Sequence, residues 1–151
     1  ELVSNYKRIG VFATEATIKS GKYSEELKKY NSNIQVRELA SKNWVSIVEG
    51  VGKDIEDKRL CIKDEIAKML EFKPDKIILG CTHYPLVQNE IAEVLGDVQF
   101  FNGSPNLAKH LKEVLEEKGL INTSNQKGTI EFIDSSNSEL KEKRFFEYLK
   151  K

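Results

Sequence analysis

Cys81, Thr82 and His83 follow one another in KIILGCTHYP (76–85), a stretch that begins as a run of β-forming residues. The chain holds two cysteines and two histidines, and one of each stands here, two positions apart. A thiolate is a strong nucleophile and base, whereas a thiol is neither. A helix N-terminus or a nearby protonated histidine favours the thiolate. A helix starting near Pro85 and the imidazole of His83 offer both influences. His83 can add positive charge or pass a proton. Thr82 and the free N–H groups of the turn can hold a carboxylate. These parts suit proton transfer, or nucleophilic attack on a small anionic substrate. Taken alone, a Cys-x-His pair also fits a buried cysteine acting as a small hydrophobe. A zinc site is not expected, because Cys61 and His110 are isolated and no second Cys/His cluster exists.

The elements that must carry this turn can be read from periodicity. RIGVFAT (8–14) is an apolar run ending in small residues, and a polar helical pattern broken near Gly21 follows it. IQVREL (34–39) alternates like a strand, and KNWVSIVEGV (42–51) is mixed. Residues 56–73 place Ile62, Ile66, Met69 and Leu70 at helical spacing before Pro74 ends the pattern. KIILG (76–80) is too short for a helix and reads as a strand. Pro85 suits the first turn of a helix over 85–95. VQFFNG (98–103) reads as a strand. A helix over 104–119 opens with Ser104 as N-cap and Pro105 as N1, and closes on Gly119. GTIEFID (128–134) reads as a last strand and 138–151 as a last helix. Strands alternating with helices predict an α/β fold, a parallel sheet sandwiched by helices. Sites in such sheets sit at the carboxyl ends of strands, where Thr14, Cys81, Thr82 and His83 fall.

Composition narrows the function class. The 151 residues fit one ordinary domain, or one and a half small ones. Twenty-four basic and 24 acidic residues are interspersed, which argues against nucleic acid as a partner. No apolar run is long enough to span a membrane. The start, ELVSNYKRIG, has neither an initiator Met nor the regions of a signal peptide, and it reads like the middle of a longer protein. Two cysteines without a secretory signal fit a reducing, cytoplasmic compartment.

GCTHYPLV (80–87), preceded by KIIL, resembles the second-cysteine signature of the glutamate racemase family within the aspartate/glutamate racemase superfamily. IGVFATEATIKSGKY (9–23) resembles the family's Thr-rich strand-to-helix segment. IVEG (47–50) is similar to its "PLVE-x-G" segment, about thirty residues before the cysteine turn. The resemblance covers residues 8–110 well, and the tail in pattern only. It implies cofactor-independent interconversion of L- and D-glutamate, supplying D-glutamate for peptidoglycan. Two cysteines on opposite faces of the α-carbon exchange the roles of acid and base. Cys81 would be one of that pair, His83 its acid–base partner, and Glu49 the carboxylate that orients the histidine. Thr82, Thr14 and Thr17 would contact substrate. Thr14 also suits a helix N-cap, which one residue can combine with binding.

The family's Asp-Ser-Gly turn and its Cys-Asn-Thr turn, the latter bearing the first catalytic cysteine, have no counterpart here. Cys61 is followed by Ile62 and Lys63 and reads as structural. The resemblance therefore implies that residues 1–104 are the complete second α/β domain of a two-domain racemase. Residues 105–151 would be a returning segment that packs on the missing N-terminal domain, and the chain alone would be inactive. Near Ser41, Lys42 and Ser46 the family tends to have a cysteine and prolines. Other readings stay open: an aspartate or hydantoin racemase-like half, a thiol hydrolase using Cys81, His83 and Glu49, or a non-catalytic module docking through the apolar faces of 104–119 and 138–149. Against the hydrolase, a Cys and a His two apart at a turn seldom face each other. A homo-oligomeric state also stays open.

Overall fold

A computed structural model of the chain describes residues 5–41, 43–50, 58–136 and 138–150. Four parallel strands form one sheet: β1 (Arg8–Ala13), β2 (Gln35–Ala40), β3 (Lys76–Leu79) and β4 (Gln99–Phe101), in the order β2-β1-β3-β4. The helices are α1 (Glu15–Lys19), α2 (Lys22–Tyr30), α3 (Trp44–Glu49), α4 (Lys58–Phe72), α5 (Gln88–Leu95), α6 (Ser104–Glu117) and α7 (Glu139–Tyr148). A 3₁₀ turn, Tyr84–Val87, precedes α5. The expected α/β class with a parallel sheet holds. Among the described residues no helix is long and apolar enough to cross a membrane.

β1 is central, pairing Ile9 to Ala13 with Val36 to Ala40 on one side and Ile9 to Phe12 with Lys76 to Leu79 on the other. Its side chains alternate between two buried faces, so the strand reads as a continuous apolar run. Ile9, Val11 and Ala13 cluster with Ile78, Ile34 and Leu27 of α2. On the opposite face a Cβ at Gly10 would lie 2.6 Å from the Met69 sulfur and 2.6 Å from Ile77 Cδ1. The missing side chain lets α4 approach the strand closely. Of Ile62, Ile66, Met69 and Leu70, expected at helical spacing on α4, the first three are buried and Leu70 is exposed.

The chain falls into two compact units, 1–105 and 106–151. In the first, Asp75 ties the amino ends of two strands together. Its carboxylate accepts from the amides of Lys7 and Arg8, at 2.9 and 2.8 Å, and pairs with the Arg8 guanidinium at 3.3 Å. The second unit holds most of α6, a long coil and α7. Phe132, Phe145 and Phe146 pack together in it with ring centroids 5.1 and 5.3 Å apart.

Three local expectations need correction. Residues 128–134 form no strand. A strand needs a ladder partner, and the other regular elements of 106–151 are helices. At α6 the Asn102 side-chain oxygen takes the Ser104 amide at 3.1 Å, so the capping contact falls two residues before the expected Ser104. The chain after Cys81 enters a 3₁₀ turn and not an α-helix, because α5 starts only at Gln88. Pro85, expected in an α-helical first turn, stands in that 3₁₀ turn. The reading of Cys61 lies outside the described side chains.

Candidate active site

Strand order makes the site before any side chain is considered. From β1 the chain crosses to β2 on one flank, and from β2 it crosses to β3 on the other. The connections diverge between β1 and β3 and leave a crevice beyond the carboxyl ends of those strands. β1 runs out into Thr14 and β3 into Gly80–Cys81, and the Gly80 amide donates to the Phe12 carbonyl at 2.7 Å. The threonine and cysteine turns therefore leave adjacent strands side by side.

Thr14 caps α1, accepting from the Thr17 amide at 3.4 Å, and the two hydroxyls lie 2.9 Å apart. Both are half-buried at the crevice. Across it, Cys81 Sγ lies 3.8 Å from His83 Nδ1. His83 Nε2 lies 2.8 Å from Glu49 Oε1, although 34 residues separate them. An ionised carboxylate only accepts, so Nε2 carries a proton. In the neutral imidazole, Nδ1 is then the acceptor facing the thiol. The three groups form a line along which a thiol proton can move to the imidazole while Glu49 stabilises the resulting cation. The expectation that Cys81 and His83 would not face each other is thus overturned. A turn just before the 3₁₀ segment, closed by the Tyr84 amide on the Cys81 carbonyl at 3.2 Å, folds the chain back so that the ring reaches the sulfur. Thr82 is exposed at the lip of the turn.

Aromatic packing fixes this geometry from below. Trp44 is fully buried, with its ring 4.7 Å from Phe12 of β1 and 4.8 Å from Tyr84. Tyr84 is fully buried as well. Burial first, and the nearby Cys81 second, push its hydroxyl up to about 12, so it stays protonated. The Trp44 ring nitrogen is the buried side-chain polar atom without a partner among the described residues. On the opposite face of the sheet, Tyr23 of α2 lies against Gly80. A Cβ there would meet the Tyr23 hydroxyl at 2.8 Å. Burial raises the Tyr23 hydroxyl most, followed by the charges of Cys81 and Glu38, so it too remains a neutral donor beside the cysteine turn. Glu38 holds the start of α2 by accepting from the Ser24 amide at 2.8 Å and from the Ser24 hydroxyl.

Of the residues singled out from the sequence, Cys81, His83 and Glu49 come into one line, and Thr14 pairs with Thr17. His110, on α6, is 72% exposed. No site role was expected of Tyr23, Ser41 or Glu65, since the partners that give them one are distant in sequence. Among the described residues, no group of three or more His, Cys, Asp or Glu is placed to hold a metal ion.

Residues 1–111 match the family model described as Asp/Glu/Hydantoin racemase. A glutamate racemase of Lactobacillus helveticus is 35% identical over 127 residues, covering 83% of this chain and 47% of the relative. One from a Sulfurihydrogenibium species is 36% identical over 120 residues, covering 78% and 46%. Among solved structures, the glutamate racemase of Francisella tularensis in complex with D-glutamate superposes with a TM-score of 0.71 at 34% identity, over 82% of this chain and 47% of that one. The Escherichia coli glutamate racemase in complex with L-glutamate and an activator, UDP-MurNAc-ala, gives 0.65 at 28% identity, over 76% and 44%. The chain spans about half the length of the curated relatives it matches.

Proposed function

The chain belongs to the Asp/Glu/hydantoin racemase family, and we propose that it supplies one half of a cofactor-independent, two-cysteine glutamate racemase. The observation that carries this reading is the line from Cys81 through His83 to Glu49 at the strand switch point. His83 Nδ1 takes the thiol proton. The thiolate then removes the α-proton of glutamate, breaking a C–H bond and forming an S–H bond. The carbanion's charge spreads into the substrate carboxylate. A second cysteine on the opposite face, borne by the N-terminal half, delivers its own proton to the α-carbon. In the other direction the two cysteines exchange roles. Thr82 at the exposed lip and the Thr14–Thr17 pair across the crevice are the hydroxyl donors for the substrate's carboxylates.

In this reading residues 1–104 are the second domain and 105–151 the returning segment, whose exposed Leu107 and Leu111 pack on the N-terminal domain. The completed enzyme supplies D-glutamate for peptidoglycan. The chain by itself is inactive, because one face of the α-carbon lacks its base. A second reading, an aspartate or hydantoin racemase half, has one specific support: the matching family model spans all three substrate classes.

Racemisation followed by circular dichroism tests the proposal. D- and L-glutamate are offered to the chain alone and with the N-terminal half of a relative supplied. Activity that appears only on completion, and vanishes with Cys81→Ser, is the expected result. Turnover of aspartate or hydantoins but not glutamate selects the second reading. Inactivity on all of them rejects both.

A further inference from the structure

Ser41 is buried, at 8% exposure, and four bonds converge on it. Its amide donates to Ala13 of β1 at 3.3 Å. Its hydroxyl accepts from the Trp44 amide at 3.1 Å and donates to Glu65 Oε2 of α4 at 2.5 Å. Its carbonyl accepts from the Tyr84 hydroxyl at 3.5 Å. The other oxygen of Glu65 accepts from the Asn43 side chain at 2.9 Å. A single carboxylate on α4 thus holds two of the residues that lead into α3, and Trp44 at the start of α3 packs on Tyr84 next to the cysteine turn.

α3 is six residues long, too short to be stable as a helix without tertiary anchors. Its last residue is Glu49, the acceptor for His83. A shift at one end of so short a rod reaches the other end undiminished. We propose that Glu65 is a positioning residue. Through Ser41 and Asn43 it sets the pose of α3, and so presents the Glu49 carboxylate to His83. The inference rests on the reading of Cys81, His83 and Glu49 as one proton line, but its test does not depend on turnover.

The chain has two histidines, so ¹⁵N spectra of the labelled protein resolve His83 once His110→Gln has identified the other signal. Wild type should show the tautomer protonated at Nε2. The alkylation rate of Cys81 by iodoacetamide at neutral pH, followed by peptide mass spectrometry, is the second readout. Glu65→Ala should abolish the tautomer preference and slow alkylation about 10-fold, in keeping with the cost of small displacements in a proton-transfer line. Glu65→Gln keeps one accepting oxygen, leaves one donor unmatched, and should fall between. If Glu65→Ala does not fold, Glu65→Gln carries the test. Ile34→Ala, a destabilising change in the core on the opposite face of the sheet from α4, should leave both readouts as in wild type. The proposal is overturned if the Glu65 variants keep the wild-type signature, or if Ile34→Ala alters it equally. A wild type without the Nε2 tautomer overturns the proton line and this inference with it. A completed protein that fails to racemise glutamate while His83 responds as expected sinks the glutamate reading and leaves the positioning role supported.

Discussion

Residues 1–105 and 106–151 contrast in how they spend their apolar side chains. The first unit buries Ile9, Phe12, Trp44, Ile66, Ile77 and Tyr84 almost completely. In the second, Leu107, Leu111, Leu120, Ile130, Ile133 and Leu140 are all more than half exposed, and among the described residues none is buried. Apolar content alone therefore does not make a core. A parallel sheet with helices on both faces removes whole side chains from water, whereas two helices and a coil leave one face of each uncovered. The proton line is itself partly exposed, with the side chains of His83 and Glu49 31% and 39% accessible, but it stands on the fully buried Trp44 and Tyr84, and a site of fixed geometry needs such rigid support.

Four changes probe this contrast. Trp44→Ala has the largest expected effect, about 3–5 kcal/mol lost in urea unfolding, since it opens a cavity between Phe12 and Tyr84. A loss near zero would mean that the aromatic stack does not bear on stability. Gly80→Ala comes next, at about 1–3 kcal/mol, because the new methyl meets the rigid ring of Tyr23. Tyr23→Ala in the same chain should restore much of that loss, and an additive double variant would refute the steric account.

The third probe is acid. The amides and guanidinium that face Asp75 hold its carboxyl below the ordinary value, the Arg8 amide contributing most. The unfolded chain therefore takes up the proton first. The contribution of Asp75 is fully present above the ordinary carboxylate range and is lost as pH falls through that range towards the folded value. Denaturant midpoints measured against pH should decline there in wild type and decline less in Asp75→Asn. Parallel curves would rule out this role. The smallest effect belongs to Leu107→Ser with Leu111→Ser. Exposed positions cost within about 0.5 kcal/mol in the chain alone, yet the same pair should impair completion by the N-terminal half. A large loss of stability in the isolated chain would erase the contrast between the two units.

Much of the first unit can be read along the chain because its signals are local. Alternating and continuous apolar runs announce β1, β2 and β3, and helical spacing announces Ile62, Ile66 and Met69 as one face of α4. Gly21, with φ at 64°, breaks the first helical stretch where it was expected to, since the left-handed region favours glycine. Residues 128–134 show the limit: GTIEFID has the composition of a strand, but composition supplies no hydrogen-bonding partner. The chemistry-bearing types around Cys81 were equally visible, because rare side chains at a strand end stand out. Of the bonds that orient them, resemblance to the family implied the one between Glu49 and His83, and no local pattern announced the others. Glu49 meets His83 across 34 residues, Ser41 meets Glu65 across 24, and Tyr23 meets Gly80 across the sheet. Order along the chain carries short-range periodicity and residue chemistry. Contacts between distant segments depend on strand order, on the two faces of the sheet and on which helix covers each, and these exist only once the chain has closed on itself.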